Sequence, residues 1–167
     1  DVGIRLLTDS EYSGTIASGE AFADPTQMQN KRLNSAVTGI DSSTRVTSLT
    51  LQTGGSVSGT GTLVVESGDI LSTGTNGAIT VANLQPGVTT LTTQKGWSGE
   101  QVTLMTPDGD DYMSISSNIS GTDQGLVKAG YGTVALTGTN SYTGSTIINR
   151  GALRATDGTG IPANSNI

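Results

Sequence analysis

The sequence contains no cysteine and no histidine among its 167 residues. Disulfides, thiol nucleophiles, histidine-based catalytic triads and zinc sites built on Cys or His are therefore excluded within it. Lys and Arg number 8 against 14 Asp and Glu, which gives a net charge of −6. Because nucleic-acid binding needs clustered basic residues to neutralise phosphates, this charge argues against a nucleic-acid partner.

Aromatic residues and long apolar runs are also scarce. Aromatics make up 4% of the chain, and no apolar stretch approaches the roughly 20 residues that cross a bilayer, so this segment is not expected to span a membrane. The chain begins at Asp1 without a signal-like region and closes on "IPANSNI". We interpret it as a segment of a longer chain whose targeting signal lies elsewhere.

Glycine, serine and threonine are abundant, and short strand-like runs recur between them. Threonine is β-branched and fits a pleated surface, which argues against a disordered linker. Seven runs alternate apolar with small or polar residues, as half-buried strands do, at 48–51, 62–65, 78–81, 101–104, 112–115, 133–136 and 146–149. No window shows a convincing helical period, and the nearest helix candidate is residues 24–33, with Asp24 in a capping position and Pro25 at the first helical position.

Two all-β architectures fit many short strands separated by glycine-rich turns. A sandwich or barrel normally needs aromatic bulk at its centre, which Phe22 and Trp97 alone do not supply. A solenoid has a narrow interior that small and medium side chains fill. We therefore predict a parallel β-helix of about five to eight rungs, each of about 20 to 25 residues. Residues 46–167 are assigned to rungs, and residues 1–45 to an irregular or early-rung segment.

The stretch "KAGYGTVALTGTNSYTGSTIINRGAL", residues 128–153, resembles the autotransporter-associated β-strand repeat, also called the passenger-associated transport repeat, of bacterial type V secretion passengers. Val134 stands where the family pattern has Leu. Weaker similarity extends the repeat region to about 119–167. The other positions match the pattern directly and form the predicted structural motif: Lys128, Gly130, Gly132, Thr133, Leu136, Gly138, Asn140, Tyr142, Gly144, Thr146, Gly151 and Leu153.

The residues of this motif have structural interpretations. The glycines are expected where the backbone turns or approaches the next rung closely. Asn140 is expected to hold a corner by bonding its own backbone. We expect Tyr142 to lie over a rung with its hydroxyl at the surface. The side chains predicted to face inward are Val134, Leu136, Ile147 and Leu153.

Several carboxylates and one tryptophan could have a chemical role, and each also has a structural interpretation. One turn contains three carboxylates that are candidates for weak calcium binding, Asp108, Asp110 and Asp111. Their spacing is not that of an EF-hand, so we prefer to interpret the segment as a solvated turn. Glu66 and Asp69, in the evident turn "VESGDI", and Glu100 are the carboxylates nearest the strands. No spacing forces them into a shared acid–base pair, so no catalytic, cofactor or metal site is predicted. Trp97 is assigned to covering the core rather than to stacking on a sugar.

The resemblance implies an all-β, right-handed parallel β-helix displayed outside the bacterial cell. It implies a non-enzymatic passenger segment that aids folding and secretion and acts as an adhesin stalk, with an outer-membrane translocator barrel in the parent chain. Three other functions stay open: a carbohydrate-active β-helix enzyme, a module binding host or neighbour-cell ligands, and a self-associating surface-filament subunit.

Overall fold

The computed structural model of the protein describes residues 12–13, 16, 30–86, 101–121 and 124–167. These residues contain no helix and seventeen short strands. The strands are β1 (Tyr12–Ser13), β2 (Asn30–Leu33), β3 (Ala36–Val37), β4 (Thr44–Val46), β5 (Ser48–Leu51), β6 (Ser56–Ser58), β7 (Thr62–Val65), β8 (Asp69–Ser72), β9 (Gly77–Thr80), β10 (Asn83–Pro86), β11 (Gln101–Met105), β12 (Tyr112–Ile115), β13 (Asn118–Ile119), β14 (Gly125–Ala129), β15 (Thr133–Leu136), β16 (Thr146–Ile148) and β17 (Ala152–Ala155).

The strands form three parallel sheets that the chain visits in rotation. The first sheet has the order β1-β2-β5-β8-β11-β14-β16, the second β3-β6-β9-β12-β15-β17, and the third β4-β7-β10-β13. Successive strands of one sheet come from successive turns, so the sheets are the three sides of a β-solenoid of about five turns. The predicted all-β parallel solenoid is therefore confirmed.

One turn of the solenoid is longer than its neighbours. Leu49 lies opposite Ile70 and Leu126 lies opposite Thr146, so these two turns make a circuit in nearly the same length of chain. Between β8 and β11 the separation is much greater, because Asp69 lies opposite Thr103. The extra chain lies between the third side of that turn, which ends with β10, and the next first side, which begins with β11.

Branched apolar side chains stack in columns inside the solenoid, one column or more on each side. On the second sheet Val57, Ile79, Ile115 and Leu136 pair in register through four turns, and each has 0% exposed surface. Each such burial contributes about 1.5–3 kcal/mol. Leu63, Leu84 and Ile119 form the corresponding column of the third sheet. These columns make up the continuous core.

Three local predictions are wrong. Residues 30–33 form strand β2, paired with β1 and β5, so they are not part of the helix candidate; its remainder, residues 24–29, lies outside the described residues. The strand predicted at 78–81 lies one residue earlier, at Gly77–Thr80. Asp69, assigned to a turn, begins β8. In each case pairing with a neighbouring turn overrides the local sequence signal.

Candidate functional site

The repeat segment forms one turn of the solenoid and begins the next. We name residues 125–145 the repeat turn and residues 146–166 the following turn. The repeat turn contains β14 on the first side and β15 on the second. On the third side Ser141 lies over β13, with its N–H donating to the Ile119 carbonyl at 2.9 Å. The motif residues from Lys128 to Gly144 therefore lie in the repeat turn, and Thr146, Gly151 and Leu153 lie in the following turn.

Lys128 is buried inside the corner between the first and second sides. Its position in β14 pairs with Leu104, in an inward-facing column, and its side chain has 0% exposed surface. The ammonium group donates to the carbonyls of Ala129 at 2.7 Å, Gly130 at 2.8 Å and Arg150 at 3.1 Å. Burial lowers the pKa of Lys128 below its ordinary value of 10.5. The three carbonyls favour the charged form, so the lysine serves as an internal cation that ties a corner to the following turn.

Asn140 marks the corner that leads to the third side. Its side-chain oxygen accepts from the Ile119 N–H at 2.9 Å, and its side-chain nitrogen donates to the Gly160 carbonyl at 2.7 Å. The amide thus spans from the preceding turn to the following one, as a backbone peptide group does in a ladder. These partners lie in neighbouring turns, whereas the sequence predicted a bond to the residue's own backbone.

Tyr142 is fully buried, which contradicts the predicted surface hydroxyl. Its exposed fraction is 0%, and its hydroxyl lies 2.6 Å from Thr146 Oγ1. Thr146 Oγ1 lies 2.8 Å from Ser165 Oγ, which donates to the Gly144 carbonyl at 2.9 Å. The interior admits the ring because this network supplies partners for the hydroxyl. Burial raises the pKa of Tyr142 above 10.0, while hydrogen bonds from Thr146 and Ser165 act in the opposite direction.

The motif glycines stand where neighbouring turns leave no room for a side chain. A Cβ at Gly132, Gly138 or Gly144 would lie 2.3–2.5 Å from a backbone oxygen of the preceding turn. Gly130 and Gly151 have φ angles of +79° and +75°, a region that favours glycine. A Cβ at Gly130 or Gly151 would also lie 2.2 or 2.4 Å from a backbone oxygen of the preceding turn, so both parts of the glycine interpretation, turning and close approach, apply to these two residues.

The apolar and threonine positions of the motif divide between the two faces of the strands. Val134 and Leu136 are fully buried, and Leu153, paired with Val134, is partly buried. Thr133 begins β15 and is half-buried, whereas Thr146 is 1% exposed. Ile147 is wrongly predicted to face inward: it is 40% exposed and pairs with Val127, one position out of phase with the buried column.

The groups considered for chemistry are dispersed or already bonded. The turn at 108–111 is closed by the Asp111 carboxylate, which accepts from the Asp108 N–H at 2.9 Å. Glu66 accepts from Arg45 Nε at 2.6 Å, and Asp69 is exposed at the start of β8. In the part of the chain that the structure describes, no cluster of three or more His, Cys, Asp or Glu side chains could hold a metal ion. Trp97 and Glu100 lie outside the described residues.

Sequence reasoning missed the residues that receive the motif's side chains. Arg150 and Gly160 contribute only carbonyls, which any residue could supply, so the sequence has no signal for them. Ser165 contributes its hydroxyl, and it lies one turn further along the chain than Gly144, whose carbonyl it meets. That one-turn spacing is a signal by which Ser165 could have been found.

Of three comparisons with known proteins, one found a match. Neither the curated proteins nor the solved structures searched contained a match to the chain. Among the described residues no helix is of a length and apolarity suited to crossing a membrane. The family model described as Passenger-associated-transport-repeat matches residues 126–155, which confirms the resemblance found from the motif. The matched residues run from β14 to β17 of the parallel β-solenoid, so the similarity to the passenger-associated transport repeat covers one turn and part of the next.

Proposed function

We propose that this chain is a structural segment of a bacterial autotransporter passenger, in which the repeat turn aids folding and secretion and the solenoid serves as an adhesin stalk. The passenger is displayed at the cell surface or released from it. The parent chain supplies an outer-membrane translocator domain. The segment itself is non-enzymatic in this proposal.

The observation that carries the proposal is the position of the matched family segment in the fold. Residues 126–155 are one turn of the solenoid and part of the next, and their buried polar side chains bond neighbouring turns rather than a ligand. A turn of this kind adds to an existing stack through nearest-neighbour contacts. Such growth needs no contacts distant in sequence, which suits a chain that folds as it emerges from a pore.

A stalk follows from the same architecture. Stacked turns rise by about 4.8 Å each, so length increases in proportion to the number of turns. The columns of Leu, Ile and Val give each turn the same contacts with its neighbours, and the resulting rod places whatever lies beyond it away from the cell surface.

Deletion of one complete turn from the parent protein tests the secretion role. Removing residues 126–145 joins Gly125 to Thr146 and preserves the stacking register, because Leu126 lies opposite Thr146. We expect surface display, measured by flow cytometry with an antibody to an N-terminal tag, to fall several-fold. The fall is expected because the corner side chains that fasten the next turn are lost.

Residues 49–69 offer a control of nearly equal size. Leu49 lies opposite Ile70, so this deletion also removes one turn and keeps the register, but it leaves the repeat intact. We expect display near the wild-type level. Equal loss from the two deletions, or none from the first, would contradict a special role for the repeat in secretion.

A further inference from the structure

The side chains of the repeat turn reach toward the following turn at all three corners. Lys128 donates to the Arg150 carbonyl at the first corner, and Asn140 donates to the Gly160 carbonyl at the second. At the third corner the Tyr142 hydroxyl meets Thr146, and the Gly144 carbonyl accepts from Ser165. We propose that residues 125–166 form a two-turn folding unit, in which the repeat turn is a docking surface for the turn that follows it in sequence. This inference rests on the proposed folding role of the repeat.

On the third side of the solenoid, side-chain hydrogen bonds take the place of a strand ladder. β13 is the last strand of the third sheet, so no further strand continues the ladder where Asn140–Tyr142 lies. The Asn140 side chain instead receives the Ile119 N–H and donates to the Gly160 carbonyl. The Asn140 N–H donates to the Thr159 carbonyl at 3.0 Å. One residue therefore continues the hydrogen bonding of the sheet where its strands have ended.

More of the buried side-chain contacts of the repeat turn lead to the following turn than to the preceding one. Lys128, Tyr142 and Thr146 are at most 1% exposed and Asn140 is 7% exposed, so water competes little for their partners. Toward the preceding turn, the Asn140 side-chain oxygen makes one buried contact, with the Ile119 N–H. The Ser141 and Thr137 hydroxyls make theirs at exposed residues, to Asn118 at 3.1 Å and to the Ile115 carbonyl at 3.5 Å. The stronger side-chain coupling therefore runs from the repeat turn to the following turn.

The spacing of these contacts also measures the length of the following turn. Lys128 reaches a partner 22 residues on, Asn140 one 20 residues on and the Gly144 carbonyl one 21 residues on. A polypeptide that meets all three corners must make one circuit in about 20 residues. The repeat turn is thus suited to bind a short turn of its own chain, residues 146–166. A lengthened turn, such as the one between β8 and β11, would not fit these contacts.

Substitution of Asn140 by aspartate tests its contact with the following turn separately from its contact with the preceding turn. The carboxylate keeps an acceptor for the Ile119 N–H but has no donor for the Gly160 carbonyl. In the purified 167-residue chain we expect amide hydrogen exchange in the following turn, at Ala152 and Thr156, to quicken by about fivefold, the factor expected for one net hydrogen bond. Exchange in the preceding turn, at Tyr112 and Asn118, is expected to stay at the wild-type rate. Unchanged exchange in the following turn, or equal acceleration in both, would overturn the proposal.

Two companion variants keep the test decisive. Tyr142→Phe keeps the ring in the core and removes only the contact with Thr146, so it should loosen the following turn even if Asn140→Asp fails to fold. Ser141→Ala removes an exposed contact to the preceding turn and should change exchange in neither turn. If Tyr142→Phe loosens the preceding turn as much as the following one, the two-turn unit is wrong. Exchange is measured without secretion, so its outcome and that of the turn deletion are independent.

Discussion

A lysine, an asparagine and a tyrosine of the repeat turn are buried beside the apolar core, and the polar group of each has hydrogen-bond partners. The Lys128 ammonium has three donors and meets three carbonyls, so its burial leaves none of them unpaired. Asn140 uses both ends of its amide. Polar groups in a core are tolerated on this condition, and here each partner also fixes the position of a corner.

The phenol of Tyr142 predicts how stability changes at alkaline pH. Because burial raises its pKa above 10.0, the native state keeps the proton to a higher pH than the unfolded chain does. The unfolded state therefore binds fewer protons above pH 10, and the free energy of unfolding falls as pH rises through that range. We expect Tyr142→Phe to cost about 1 kcal/mol at neutral pH and to unfold with a shallower alkaline decline, measured by urea denaturation from pH 8 to 11.

The comparison isolates Tyr142 because Lys128 is present in both proteins. The lowered pKa of Lys128 has the opposite effect: the native state releases that proton first, so stability rises with pH below 10.5. Tyr131→Phe is the matched control, since Tyr131 is 61% exposed and its loss leaves the Tyr142 network intact. Identical alkaline slopes for Tyr142→Phe and wild type would show that the buried phenol does not titrate as described.

At the scale of strands, the alternation of apolar with small or polar residues predicted the strands that have two or more apolar side chains facing the core. The predicted bounds of β5, β7, β12 and β15 are those of the structure. Several strands with one inward apolar residue were missed. Ser56–Ser58, for example, has only Val57 as a buried apolar residue and lies between two of the predicted strands. A side of a solenoid needs only one such residue per turn, and so short a strand is too brief for a period to be recognised.

The wrong predictions share the same physical origin. Residues 30–33 have the sequence NKRL, which carries no strand pattern of its own and becomes a strand because β1 and β5 lie on either side of it. In "STII", the sequence does not tell whether Ile147 or Ile148 faces inward. Register with β14 places Ile148 opposite the buried Lys128 and Ile147 opposite Val127, although on this last strand of the first sheet Ile148 is 43% and Ile147 40% exposed. Pairing between turns supplies what local sequence lacks.

Two adjacent residues of β11 test the assignment of inner and outer faces. Leu104 is 0% exposed and lies opposite Ile70 and Lys128, whereas Met105 is 42% exposed. Leu104→Ala should lower the free energy of unfolding by about 2–5 kcal/mol, and Met105→Ala by less than about 1 kcal/mol. Urea unfolding of the two variants measures the difference. Equal losses would mean that the strand faces are assigned in the wrong phase.

At the scale of the molecule, the motif was recognisable from sequence, but its partners were not. Lys128, Asn140 and Tyr142 stand at positions of the family pattern, so the segment could be located from spacing alone. The burial of Tyr142 and the bonds to Arg150 and Gly160 depend on how one turn lies on the next. In a fold built from nearest-neighbour contacts, that relation is set between turns and leaves little trace within any one of them.

The same nearest-neighbour construction makes the number of turns adjustable. Deleting residues 49–69 from this chain removes one turn in register, since Leu49 lies opposite Ile70, and leaves about four of the five turns. We expect a folded protein whose urea m-value is lower by about one fifth, because m follows the surface exposed on unfolding. Deleting only residues 49–59 removes about half a turn, including β6 with Val57, and puts the strands on either side of the deletion out of register, so no cooperative transition is expected. If both deletions unfold alike, the turns are not interchangeable units and the stability of the solenoid must come from contacts that span the whole chain.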